Sequence, residues 1–276
     1  MPGKVPASFF LWYLYKIMQM NGLRLFLAVS VVAVCLGCQG QQEPASSAPP
    51  ANAKRVDESK AGNVVGRVVF EGTPPVNPPI DLAADPYCAG QNPGGAKLEN
   101  VVVATGGLEN VFVYVKDGLG DYGFDVPAES VKLDQVGCQY RPHVLGVRVG
   151  QKLVIANSDE TLHNVHAMGK ANGEWNKGQA LKNMSDAKVF KAREVMVAFK
   201  CDVHNWMRAY VGVMEHPYFA VTHDGGTFEL KNLPAGTYTI EAWHEKLGTQ
   251  TQSVTLGEKE SKQVSFTFKA PAASSN

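Results

Sequence analysis

The 276-residue sequence predicts an all-β protein of sandwich type, and three observations carry that prediction. Short runs rich in Val, Phe, Tyr and Thr recur along the chain; Gly, Pro, Asn and Asp punctuate them; and beyond residue 61 no helical period is sustained. Short strands spaced by turn signals are the pattern of two packed sheets.

Taken in order, the chain opens with an apolar leader. From Met20, "MNGLRLFLAVSVVAVCLGC" has one basic residue, Arg24, an apolar segment from Leu25 to Leu36, and then Gly37-Cys38. That segment is short of the ~20 residues a membrane-spanning helix needs and suits the core of an export signal. Gly37-Cys38 resembles a bacterial lipoprotein cleavage site, although Cys35 stands where that pattern has leucine. The resemblance implies a signal over residues 1–38, complete from Met20, with Cys38 lipidated. A cleaved signal without lipid and an uncleaved anchor are the alternatives, and all three place the rest of the chain outside the cytoplasm.

Residues 39–61, "QGQQEPASSAPPANAKRVDESKA", have no aromatic residue and few large apolar ones, which predicts a disordered linker. The strand-like runs follow: "NVVGRVVFEG", "NVFVYVKDG", "VLGVRVGQKLVIANSD", "VMVAFKC", "AYVGVME", "GTFEL", "GTYTIEAWHE" and "QVSFTFK". β-Branched and aromatic side chains fit a pleated, half-buried surface, which is why these runs read as strands. Residues 170–188 are polar and irregular and read as a long loop or short helix; 271–276 read as a disordered tail.

Charge excludes one class of partner. The chain has 26 basic and 26 acidic residues; the first 38 hold Lys4, Lys16 and Arg24 and no acid, which leaves 23 against 26. No basic excess remains to bind nucleic acid. Of the five cysteines, Cys35 leaves with the signal and Cys38 takes lipid, so Cys88, Cys138 and Cys201 remain in a compartment that permits disulfides. An odd count means either that two pair while the third binds something, or that one is idle. Cys88–Cys138 is the expected pair and a second site the alternative; the competing arrangement joins Cys201 to one of them.

"FKCDVHNWM", residues 199–207, sets Cys201, His204 and Met207 three apart. As a helix these seven residues would climb about 9 Å, and as a strand about 20 Å. Donors on one metal lie only about 2.0–2.3 Å from it, so the segment must turn back on itself between the strands that flank it. A fourth donor fits from "LVIANSDETLHNVHAMG", where a strand runs into a turn that ends at His163. Two imidazoles, a thiolate and a weak thioether form the ligand set of blue-copper sites.

On these residues the stretch 128–217 resembles the cupredoxin family. "YRPHVLGVRVGQKLVIANSDETLHNV" is similar to that family's approach to its first histidine, and Cys-x2-His-x2-Met to the short ligand loop of the amicyanin type. The resemblance implies a Greek-key sandwich holding one type I copper ion on His163, Cys201, His204 and Met207. It implies that Asn164 ties the two ligand loops together near the thiolate. About 37 residues lie between His163 and Cys201, and the segment 170–188 is an addition to the compact family pattern.

Other metal readings fail. Cys201 lies between Lys200 and Asp202, without the His-Cys-His of multicopper oxidases. A single loop cysteine excludes a dinuclear purple-copper site, and the absence of Cys-x2-Cys-His excludes covalent c-type haem. Structural zinc takes no thioether. His166, an odd step beyond His163 in extended chain, points to the opposite face and is not expected to ligate. His143 and His216 are expected to pack or face solvent. Trp206 reads either as a buried lid or as an exposed aromatic where a redox partner docks.

The flanks, 62–127 and 218–270, resemble the carboxypeptidase regulatory-like (transthyretin-like, immunoglobulin-type) sandwich, through "GNVVGRVVFEGTPP" and "HDGGTFELKNLPAGTYTIEAWHEKLGTQTQSVTL". Together they imply one module split in sequence, with the cupredoxin-like part inserted between its strands. His244 and Glu245 have no partner motif and are expected at an exposed strand end; no serine or acid pair suggests a hydrolase. The expected function is therefore non-enzymatic. It is a membrane-anchored extracytoplasmic copper protein, periplasmic or at the cell surface, passing single electrons between redox proteins. The alternatives are copper storage, delivery or sensing, and a metal-free envelope scaffold or adhesion module.

Overall fold

A computed structural model describes residues 52–270. The export signal 1–38 with Cys38 and its start at Met20, the beginning of the linker 39–61, and the tail 271–276 lie outside the described residues. Among the described residues the fold is all-β with one short helix. The first part holds β1 (Gly62–Glu71), α1 (Pro86–Gln91), β2 (Val103–Ala104), β3 (Gly107–Leu108) and β4 (Phe112–Asp117). The middle part holds β5 (Val131–Val136), β6 (Gln139–Arg141), β7 (Val144–Arg148), β8 (Lys152–Asn157) and β9 (His163–Met168). It continues with β10 (Glu174–Gln179), β11 (Ser185–Val189), β12 (Glu194–Lys200) and β13 (Arg208–Met214). The last part holds β14 (Phe219–Val221), β15 (Thr227–Leu233), β16 (Gly236–His244), β17 (Gly248–Leu256) and β18 (Ser261–Lys269).

The first and last parts build one sandwich. One sheet has the order β15-β1-β3-β2, with β18 alongside β1 in parallel from Asn63↔Ser261 to Glu71↔Lys269; the facing sheet is β14-β4-β16-β17. Inward side chains alternate as a pleated strand requires, Val64, Val68 and Phe70 from β1 meeting Val264, Phe266 and Phe268 from β18. Each such side chain removed from water contributes about 1.5–3 kcal/mol.

The middle part builds the second sandwich, from sheets β10-β9-β12-β13-β7 and β11-β8-β5-β6. Its core packs Leu133, Leu153, Ile155, Val165, Phe199 and Val211. The segment 170–188 is neither loop nor helix. β10 pairs with β9 from Glu174↔Met168 to Gln179↔His163, and β11 pairs with β8. Both are edge strands with mostly exposed side chains, so nothing in their composition had to be apolar.

Two other segments sit elsewhere than the sequence suggests. Within the expected linker, Lys54 bonds backbone to backbone with Asp121 and Gly123, and Arg55 pairs with Asp125. Between β1 and β2, Ile80, Leu82, Tyr87, Cys88 and Ala96 pack against the second core rather than the first. The sandwiches meet where parallel β7 and β13 pair Gly146 with Gly212. A Cβ at Gly212 would lie 2.4 Å from Phe112, and one at Gly146 2.2 Å from Phe219, so the two glycines open the flat floor on which these stacked rings rest. His244 and the Glu245 side chain are buried instead of standing exposed: Glu245 accepts from Tyr210 and pairs with His143 at this seam, while His244 turns to Phe268 in the flanking sandwich. His216, past the other end of β13, is buried against Tyr218.

Candidate metal centre

β12 delivers Cys201, and the chain then doubles back. The Cys201 N–H donates to Met207 O at 3.2 Å and the Met207 N–H to His204 O at 2.9 Å, so residues 201–207 close into a ring before β13 begins. β9 runs antiparallel beside β12, with Lys200 opposite His166. Continuing that register sets Asn164 opposite Asp202 and brings His163, the first residue of β9, over the loop.

His163, Cys201 and His204 converge there, fully or almost fully buried, their donor atoms all within 4.8 Å of one another. The two Nδ1 atoms stand 2.9 Å apart, and Cys201 Sγ lies 3.9 Å from Nδ1 of His204. Donors held by one ion at about 2.0–2.3 Å lie no more than about 4.6 Å from each other, and these fit. Met207 is buried at 1% exposure, between the loop's backbone bonds and the core.

The hydrogen bonds decide which ring nitrogens face one another. His163 Nε2 faces Asp159 Oδ2 at 2.9 Å, and His204 Nε2 faces Asp85 Oδ2 at 2.9 Å. With each Nε2 turned to a carboxylate, the two rings present Nδ1 to each other and to Cys201 Sγ, where one shared proton or one cation can sit. Two imidazoles and a thiolate form a donor set that both zinc and copper accept. Burial would raise the Cys201 thiol pKa, but hydrogen bonds from His163, His204 and the backbone N–H groups of Asn164 and His204 bring it down to about 6. It is thus a ready ligand at neutral pH.

The supports reach outward from these donors. Asn164 N–H donates to Cys201 Sγ at 3.4 Å and the His204 N–H at 3.3 Å. The Asn164 side chain accepts from Asp202 N–H and donates to the Asp202 carboxylate at 3.1 Å, joining the two ligand loops. His166 is outside the cluster, holding Asp202 at 2.9 Å. Tyr140 O–H donates to the carbonyls of Asn164 and Lys200, fastening β9 to β12. Trp206 is half-buried, its ring centroid 5.0 Å from that of His204 and its indole N–H on Cys138 O at 2.9 Å.

Cys88 and Cys138 form a disulfide, and among the described residues Cys201 is the free cysteine. Asp85 and Asp159 carry no ligand motif and were not read from the sequence. One signal was there: Asp85-Pro86 is an N-cap followed by proline at the first helical position, which marks the start of α1.

No family model and no curated protein matches the sequence. Among solved structures, the Cu(I) form of a methionine-to-alanine mutant of amicyanin is 23% identical, covering 32% of this chain and 85% of that one, with a TM-score of 0.28. The reduced state of a proline-to-phenylalanine mutant of amicyanin is 24% identical over 37% of this chain and 97% of that one, TM-score 0.28. A purple cupredoxin from Nitrosopumilus maritimus is 18% identical over 30% of this chain and 98% of that one, TM-score 0.27.

Proposed function

We propose that the protein is a mononuclear type I copper protein that carries single electrons between redox proteins, without enzymatic turnover. The observation that supports this reading is the meeting of His163 Nδ1, His204 Nδ1 and a Cys201 thiolate, with both Nε2 atoms engaged elsewhere. When bound, copper supplies a one-electron couple. The chain's part is to present His163, Cys201 and His204, with Met207 as the weak fourth donor, and to keep them still. Burial and the backbone bonds to sulfur limit rearrangement as charge changes.

Lipid on Cys38 would hold this body outside the cytoplasm by a linker. A partner would approach at Trp206, whose ring covers His204 and which lines a surface groove with Val203, Pro79 and Ile80.

The test is full-length protein purified in detergent and titrated with Cu(II). An intense visible thiolate-to-copper band at one equivalent, followed by repeated reduction and reoxidation without loss of metal, is the expected result. Copper lost on each cycle would move the reading to storage or delivery. A colourless protein would end it.

A further inference from the structure

We propose that Asp85 and Asp159 are positioning residues that bias the centre toward Cu(II), each by holding one ligand imidazole through an Nε2–H-to-carboxylate bond; this rests on the copper reading above. The two acids reach the site by different routes. Asp159 is local to the turn before β9, four residues ahead of His163. Its Oδ1 accepts from Gly137 N–H and its Oδ2 from Cys138 N–H, both at 2.8 Å, and Oδ2 also faces His163 Nε2. Asp85 comes from far away in sequence and divides its oxygens. Oδ1 caps α1 by accepting from Tyr87 and Cys88 N–H, while Oδ2 takes Thr161 Oγ1 at 3.1 Å and His204 Nε2 at 2.9 Å. The disulfide from Cys88 to Cys138 fastens α1 over the site.

Both carboxylates sit among donors, Asp85 accepting from Tyr87 and Cys88 N–H and the Thr161 hydroxyl, Asp159 from Gly137 and Cys138 N–H and the Tyr87 hydroxyl, surroundings that suit the charged, acceptor-only form. Among the described residues, neither is paired with a lysine or arginine; their charged contacts are the ligand histidines. Two negative charges therefore act on the ion through the rings, together with the thiolate. They make the imidazoles stronger donors and favour the higher charge on the metal. A carboxylate on a ligand histidine is an ordinary device at metal sites; here it is doubled, and one half is delivered by a helix outside the sandwich sheets.

The experiment is the reduction potential of full-length Asp85→Asn and Asp159→Asn, measured by mediated spectroelectrochemistry. It is paired with 15N NMR of the histidine rings in the metal-free protein. Asparagine keeps the shape and still caps a helix, so D85N removes charge with little change of fold. Each substitution is expected to weaken Cu(II) binding by about tenfold relative to Cu(I), a rise of ~59 mV for one electron. The NMR is expected to show Nε2–H on both rings in the wild type, with D85N altering His204 alone and D159N His163 alone. Blue variants whose Cu(II)-to-Cu(I) affinity ratio, read from the potential, stays within about twofold of wild type overturn the proposal and leave the copper reading intact. A colourless wild type overturns the copper reading itself. Should D159N fail to fold through loss of its bonds to Gly137 and Cys138, D85N decides the matter.

Discussion

In the flanking sandwich an aliphatic and aromatic core runs from Val64 on β1 to Phe268 on β18, with few buried polar side chains, Thr222, Glu241 and His244 among them. The sandwich that holds Cys201 has an equally apolar middle, but it also buries Gln135, Asn157, Asp159, His163, Asn164, Gln179 and His204. These polar groups hold one another at the ligand end. Asn157 donates to the carbonyls of Thr161 and Gln179 at 3.0 Å and accepts from Asp159 N–H; Gln135 donates to Gln179, which donates to Ile155 O. Leaving a buried polar atom unpaired costs about 1–3 kcal/mol, and of this network Gln135 Oε1 has no partner. The difference teaches that one sandwich is built for stability and the other gives up apolar packing at one end to hold donor atoms in place.

The sharpest way to break that contrast is to remove the thiolate. Cys201→Ser is expected to abolish the visible band completely in a Cu(II) titration while circular dichroism and the thermal unfolding of the flanking sandwich stay as they were. A retained band would show that the polar end is not where copper binds. The next largest effect belongs to the other core. Phe266 is fully buried between β1 and Phe228, and Phe266→Ala is expected to cost about 3–5 kcal/mol of stability in urea unfolding. The absorption maximum at temperatures where the variant stays folded should not move. A shifted maximum would mean that the two sandwiches are not independent in the way their cores suggest.

How much of this was legible depended on whether the signal was local. β1, β4, β12, β13, β16 and β18 announce themselves through β-branched and aromatic runs, because each buries a face. β10 and β11 do not, since edge strands with polar side chains on both faces leave no alternation to read. Cys201, His204 and Met207 could be grouped because seven residues can be reasoned about as one loop. His163 was within reach because its strand and turn are readable. Asp85 was not: its distance from His204 is set by a helix, a disulfide and the packing of residues 80–96 on a core far along the chain. The burial of Glu245 escaped for the same reason, because the seam that covers it exists only once the two sandwiches meet; that of His244 escaped because Phe268, which packs on it, comes from the far end of the chain.

His244, which packs on Phe268, supplies the smallest effect and the finest test of the contrast. His244, in the flanking sandwich, is 2% exposed, and its Nδ1 accepts from the N–H groups of Lys246 and Leu247. Burial drives its pKa down from 6.5 to about 4, and the neighbouring Glu245 only partly opposes this. Below pH 6.5 the unfolded chain binds the proton and the folded one does not, so stability is lost as pH falls from 6.5 towards 4. Between pH 7 and pH 5 that loss is about 2 kcal/mol from this residue. Asparagine at 244 offers an oxygen where Nδ1 stood and cannot take up a proton, so His244→Asn is expected to remove this share of the pH dependence in urea unfolding of the metal-free protein. An unchanged pH slope would mean that the loss of stability in acid comes from elsewhere, the polar end around His163 and His204 included, and that the flanking sandwich is the inert partner throughout.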